Sequence, residues 1–280
     1  MKYLNLGCGD RFHPTWTNVN FTSNHPDILA HNLTQGIPFA PASFQAIYHS
    51  HLLEHFSKTQ APNFLKECHR VLQPNGIIRI AIPDLEQITR SYIFSLEQAL
   101  QGSQEAADNH TWLLLELFDQ IVRNQSGGDM AAYLLQKHIP NEEFILKRLG
   151  TEARNLIEAG RQQRQNPPSS DTWLKQTFRP LYKFLKSSHH RRETLLKLVL
   201  GKTDYQALEI GRFRLGGEIH QWMYDRHSLS QLLKDTGFTQ ITQRTATESY
   251  IPNWTSFNLD TEPDGSIYKP DSLYMEAIKP

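Results

Sequence analysis

Leu4-Asn5-Leu6-Gly7-Cys8-Gly9-Asp10 decides how the rest of the chain is read. Tyr3, Leu4 and Leu6 make a short apolar run that stops at two glycines separated by one residue. A strand ending in Gly-x-Gly leaves the backbone bare enough for a ligand to lie against it. Many short strands end this way and bind nothing, so the meaning of the turn rests on the residues beyond it.

Downstream of Gly9, residues 10–15 contain Pro14 and little helical periodicity, and 16–21 then reads as a second strand. So few residues cannot hold a crossover helix, and the spacing predicts a helical turn or a loop. Residues 27–30 and 44–48 are the next strands. Phe64, Leu65, Cys68, Val71 and Leu72 fall on one helical face, with Pro62 in the first turn and Pro74-Asn75-Gly76 as the stop. Residues 77–82 are too apolar for a strand with one face in water, and the run ends at Pro83-Asp84. This alternation predicts a parallel sheet with its ligand crevice at the strand C-termini.

From Leu85 to about Gly216 the pattern changes to long helices at 85–100, 111–123, 130–135, 142–165 and 173–200, with a break at Pro167-Pro168-Ser169-Ser170. The α/β pattern then resumes. Residues 225–236 make a capped helix carrying Leu229, Leu232 and Leu233, and 238–242 and 273–278 are strands. The expected organisation is an α/β core made of 1–83 and 217–280, interrupted by a helical insertion at 84–216.

Composition limits the function classes. The 280 residues carry 29 Lys+Arg and 29 Asp+Glu, so overall charge gives no reason to expect nucleic acid as a partner. Charge is uneven only locally: 91–122 holds five acids and no Lys or Arg, and 175–202 holds eight bases and one acid, Glu193. We read these as two solvated helix faces that attract each other, with peripheral membrane contact through 175–202 as the alternative. Two cysteines, Cys8 and Cys68, are too few for a disulfide framework, and no apolar run reaches the ~18 residues of a membrane span, so a cytoplasmic protein is expected. Among 13 histidines there is no His-Glu-x-x-His. His51 and His55 are spaced i, i+4, as on one helix face, but without an obvious third ligand; no metal is expected.

Four stretches stand in order: Leu4 to Gly9; Ser50-His51-Leu52-Leu53-Glu54-His55; Glu67 to Gly76 with its strand to Pro83-Asp84; and Ser272-Leu273-Tyr274-Met275-Glu276. With these the chain resembles the class I S-adenosylmethionine-dependent methyltransferases, in particular the methyltransferase type 11-like group. The resemblance covers the α/β half and none of the insertion. It implies a Rossmann-like, seven-stranded, mostly parallel sheet with a large helical insertion between strands 5 and 6, the Phe238 strand being antiparallel and paired last. It also implies S-adenosyl-L-methionine as cofactor. Asn5, Gly7, Cys8 and Gly9 would meet its methionine end, where a turn free of side chains offers carbonyls and amides to an ammonium and a carboxylate. Asn20 would stand at the ribose, Asn32 and Leu33 near the adenine, and His49 and Ser50 on the methyl-donor side.

Here the chain departs from the family, because Asn20, Asn32 and Gln45 stand where Asp is expected. An Asn carbonyl accepts one hydroxyl but lacks the charge and the second acceptor, a loss of ~1–2 kcal/mol at a ribose contact. A non-methylating binding or scaffold protein on a degenerate methyltransferase fold is therefore the alternative. A dehydrogenase is disfavoured by the missing third glycine and the absent first helix.

Methyl transfer is an in-line displacement that gains most from positioning, and a base is needed only where the acceptor must lose a proton. His51, Glu54, His55, Asp84 and His220 lie near strand ends and are the candidates. Each has a structural reading too: Glu54 and His55 could orient the next segment, Asp84 could cap a helix, and His220 could tie a loop to the core. Cys8 reads as packing. The expected activity is O- or N-methylation of a small-molecule or sugar (glycan-type) acceptor, with the insertion as lid and acceptor pocket.

Overall fold

The computed structural model describes residues 2–23, 25–165 and 187–280. Its strands are β1 (Tyr3–Leu6), β2 (Thr17–Asn20), β3 (Ile28–Ala30), β4 (Phe44–Ser50), β5 (Leu72–Pro83), β6 (Thr239–Arg244) and β7 (Ser272–Ile278). They form one seven-stranded sheet in the order β3-β2-β1-β4-β5-β7-β6. The pairs from β3 across to β5 are parallel, and β7 is antiparallel to both β5 and β6. The Phe238 strand is thus the edge strand, as expected, but the strand reversed against the sheet is β7. A helical crossover delivers β6 parallel to β5, whereas the chain returns into β7 without one and so runs the other way.

Strand alternation sorts the sheet into two faces. Leu4, Leu6, Ile47, Ile78 and Ile80 point to one, where α1 (Ala61–Val71) and, after the insertion, α7 (Arg226–Asp235) cover them with Phe64, Leu65, Leu229 and Leu233. Tyr3 and Tyr48 point to the other. No helix follows β1, so nothing from that connection shields this second face except Trp16. The gap is filled by Ile251, Trp254 and Leu259 from the long β6–β7 excursion, with ring centroids 4.9 Å apart for Tyr3–Trp16 and 5.0 Å for Tyr48–Trp254.

The excursion is fastened by Arg79 of β5. Its guanidinium is fully buried, 2.8 Å from Asp260 and 3.0 Å from Glu276, donates to the Thr245 and Glu248 carbonyls, and lies 4.5 Å over the Trp254 ring. Tyr48 Oη donates to the other Asp260 oxygen at 2.5 Å. The buried cation is therefore paired on every side, which buried charge requires.

Between β5 and α7 run α2 (Leu85–Leu100), α3 (Gln104–Val122), α4 (Gly128–Leu134), α5 (Glu142–Gln165) and α6 (Ser188–Arg214). They carry their own core, built on Trp112, Leu134, Ile145 and Ile157. The break at 167–170 and the first part of the expected 173–200 helix lie outside the described residues; α6 continues to Arg214. Two acids of α3 are used inside this unit and not on a solvated face: Glu116 is buried against Arg148 at 2.6 Å, and Asp119 accepts the Asp129 amide at 2.7 Å. Helix α5 breaks at Gly150 (φ 59), where a Cβ would stand 2.6 Å from the Tyr268 carbonyl oxygen. The kink is where the excursion crosses the insertion. Among the described residues no helix is long and apolar enough to cross a membrane.

Candidate functional site

At the end of β1, Gly7 and Gly9 take left-handed backbone angles of 65° and 52°. A Cβ on Gly7 would lie 2.8 Å from Leu52, whereas one on Gly9 would meet nothing within 4 Å. The turn is thus held from beneath at Gly7 and open above Gly9. Buried Asn5 donates to the Arg11 carbonyl (3.1 Å) and to Asn18 Oδ1 (3.3 Å), and Asn18 donates to the His13 and Trp16 carbonyls. This amide network holds the loop that replaces the first crossover helix.

A cavity of about 470 Å³ opens above the turn. Asn5, Gly7, Cys8, Gly9, Ser50 and His51 line its sheet side, which brings together much of the set expected from sequence. Alternation explains one absence: Ser50 points into this cavity, so His49 must point away, and its ring packs on Phe64 at 5.3 Å. Both His49 nitrogens are buried without a partner, and burial pushes its pKa down to about 3. Leu33 is in the apolar core. Asn20 donates to the Thr22 carbonyl, and Asn32 Oδ1 accepts from Thr34 N and Oγ1 as the cap of a short 3-10 turn. Neither amide lines the cavity.

The opposite wall has no sequence signature. Arg11 lies 4.0 Å over the Tyr268 ring and pairs with Glu262 at 3.2 Å, while Thr151 and Asn155 arrive from α5 beyond its kink. These contacts join the excursion and the insertion to the glycine turn, and no spacing rule could have placed them.

A second cavity of about 420 Å³ lies next door, and His51 and Lys269 line both. Ile88, Met130, Leu134, Leu149 and Leu156 of the insertion give it apolar walls, and His55, His220 and Asp271 supply polar ones. His51 is not on a helix. It has φ 48 in the turn after β4, and Leu53–His55 is a single 3-10 turn, so the i, i+4 helical premise fails although both rings reach this cavity. A non-glycine residue held left-handed is strained by ~1–3 kcal/mol and is common where side chains must be aimed. His51 Nε2 is 2.9 Å from Ser272 Oγ and its Nδ1 is 3.5 Å from Glu54 Oε1.

Glu54 is 1% exposed, and neither carboxylate oxygen has a hydrogen-bond partner. Burial, opposed in part by Lys269, pushes its pKa up to about 8. Burial lowers His51 and His55 and takes His220 down to about 2, so these rings are neutral near pH 7. Asp84 is engaged elsewhere: its Oδ1 caps α2, accepting from Glu86 N (3.0 Å) and Gln87 N (3.1 Å). Cys8 and Cys68 are buried free thiols, and burial raises both.

Residues 4–80 match the family described as Methyltransferase domain. No curated protein matches the chain. Among solved structures it is similar to YcgJ from Bacillus subtilis, at 16% identity over 32% of this chain and 52% of that one, TM-score 0.25. It also aligns with an S-adenosylmethionine-dependent methyltransferase from Archaeoglobus fulgidus, at 9% identity over 99% of this chain and 86% of the other, TM-score 0.37. A third is the putative methyltransferase complexed with the Trm112 activator from Haloferax volcanii, at 10% identity, 100% and 82% coverage and TM-score 0.37. The chain spans about half the length of YcgJ. Likenesses this distant add nothing to the strand order described above. Around the open backbone at Gly9 the first cavity is also lined by the charged residues Asp10, Arg11, Glu262 and Lys269.

Proposed function

We propose that this methyltransferase holds S-adenosylmethionine in the cavity above Gly7 and Gly9 and a small-molecule or glycan-type acceptor in the adjoining one, methylating oxygen or nitrogen. The observation that carries the reading is the pair of cavities meeting at His51 and Lys269. When bound, the cofactor supplies an electrophilic methyl group on sulfur. Asn5, Gly7, Cys8, Gly9 and Ser50 are assigned to holding it. The insertion, 84–216, is assigned as lid and acceptor pocket on the core formed by 1–83 and 217–280; the α5 kink at Gly150 lets it close both cavities from above. His51 is assigned to take an acceptor proton, because it lines both cavities and faces Glu54. Glu54 faces its Nδ1 from behind the cavity wall, and His55 and His220 line the same cavity. A cytoplasmic location belongs to the same reading and rests on the two unpaired cysteines.

Isothermal titration with S-adenosylmethionine and S-adenosylhomocysteine tests the cofactor assignment, with micromolar binding of both expected and no response at millimolar ligand overturning it. Incubating radiolabelled S-adenosylmethionine with a panel of phenols, sugars and amines tests the acceptor class.

A binding or scaffolding role is the second reading, and a specific observation favours it: Asn20 and Asn32 spend their amides on Thr22 and Thr34. Asn20→Asp with Asn32→Asp separates the two. Binding that appears only in the double variant would mean that the natural chain is not an ordinary methyltransferase.

A further inference from the structure

We propose that Glu54, His55 and His220 form a binding site for a divalent transition-metal ion at the wall of the second cavity. Each residue offers a ligand atom, and the three atoms lie within 4.8 Å of one another. Glu54 Oε1 is 4.0 Å from His220 Nε2, and the two imidazole centroids are 4.9 Å apart. Ligands of a tetrahedral zinc with ~2.1 Å bonds stand about 3.4 Å apart, so small side-chain rotations close the set.

Two observations independent of proximity point to a cation. The first is the Glu54 carboxylate, buried with both oxygens unpartnered. A buried carboxylate without donors is costly, and one divalent ion removes the cost. The second is the tautomer of His55. Its Nδ1 is 3.1 Å from the Ile219 carbonyl oxygen, which can only accept, so Nδ1 carries the proton and Nε2 the free lone pair. Histidine ligands are usually oriented this way by a carbonyl behind them.

The backbone holds the two halves of the site in place. Gln221 N and Trp222 N both donate to the Glu54 carbonyl, at 2.7 and 3.2 Å, and His220 N donates to the Gln120 carbonyl at 2.9 Å. His55 and His220 line the cavity, whereas Glu54 lies behind them. Three protein ligands with an open side toward a cavity make a zinc-like catalytic arrangement rather than a closed structural one. Two imidazoles with one carboxylate suit zinc, cobalt, nickel or iron(II) and disfavour calcium and magnesium. The sequence pointed away from a metal because His220 lies far along the chain from the other two.

An acceptor oxygen or nitrogen could take the open position, a consequence that rests on the proposed use of that cavity; the site itself does not. The test uses untagged full-length protein stripped with EDTA and dialysed against zinc chloride or cobalt chloride. One ion per chain by elemental analysis is expected, with the visible bands of four- or five-coordinate cobalt and a raised melting temperature. Glu54→Gln and His220→Asn should each weaken binding at least tenfold. If either melts early without metal, His55→Gln, at a less buried ring, replaces it. Fewer than about a tenth of an ion per chain, or affinity unchanged in these variants, would overturn the site. S-adenosylmethionine titrated into the metal-free protein reports separately on the methyltransferase reading.

Discussion

Lys269 Nζ stands 2.8 Å from Glu152 Oε2, and through this pair the β6–β7 excursion grips the inserted helix α5 at the wall shared by both cavities. Glu152 and Asp271 keep the ammonium charged against its burial. Lys269→Met should therefore release two elements at once. Because the Glu152 side chain is half exposed, the cost in stability is about 1 kcal/mol. The sharper readout is hydrogen exchange: amides in 148–157 and 259–271 should lose protection together. Loss confined to one segment would mean that the pair does not couple them.

Two left-handed glycines make opposite predictions. Gly9 has open space around a Cβ, and Asn tolerates its backbone angle, so Gly9→Asn should fold with nearly unchanged melting temperature. Its side chain would occupy the cavity, and S-adenosylmethionine affinity should fall at least tenfold by titration. Gly150 has the same handedness but no room, with the Tyr268 carbonyl 2.6 Å and Pro270 Cδ 2.9 Å from a Cβ. Both Gly150→Ala and Gly150→Asn should lower the unfolding free energy measured in urea, by on the order of 2–4 kcal/mol when strain and overlap are combined. If Gly150→Asn is as mild as Gly9→Asn, the crossing at the α5 kink is not tight.

These contrasts show what could be read from sequence and what could not. The strands themselves were legible from continuous apolar runs such as 77–82 and from glycine stops, because burial on both faces leaves a compositional mark, whereas their arrangement came from the family resemblance. That Ser50 and His49 oppose each other also follows from alternation, but which of them meets a ligand depends on what covers each face. That information sits in 245–271, whose Trp254, Phe257 and Leu259 follow neither helical nor strand period. Arg11 with Glu262, and Glu54 with His220, are pairs set by topology alone. Asn20 and Asn32 were recognisable by position, yet their hydrogen bonds to their own turns were not.

Arg79 compensates two buried carboxylates, so its loss should cost far more than a surface cation. Arg79→Met removes the ion pair of buried Asp260 and leaves Glu276 with Arg244, 3.3 Å away, an expected loss of about 3–5 kcal/mol in urea unfolding. Arg79→Lys keeps the charge but not the fork that reaches two carboxylates and the Thr245 and Glu248 carbonyls, and should recover less than half of that. Recovery close to wild type would show that charge alone holds the excursion.

The pH dependence of stability carries the signature of Asp271. Burial, with Glu116 adding and Lys269 opposing, pushes its pKa from 3.8 up to about 7. Between those values the folded chain keeps a proton that the unfolded chain has released. Stability therefore falls as pH rises through that window and is level on either side. Asp271→Asn removes the titrating group while its backbone carbonyl still accepts from the Asp84 amide at 3.0 Å. Glu54, raised to about 8, imposes a slope of the same sign, so the informative quantity is the difference between variant and wild type. That difference should be near zero at pH 4 and grow to a gain on the order of 4 kcal/mol above pH 7, measured by chemical denaturation in matched ionic strength. A difference that does not change with pH would show that Asp271 is already ionised in the folded chain, satisfied by Lys269 and Arg148.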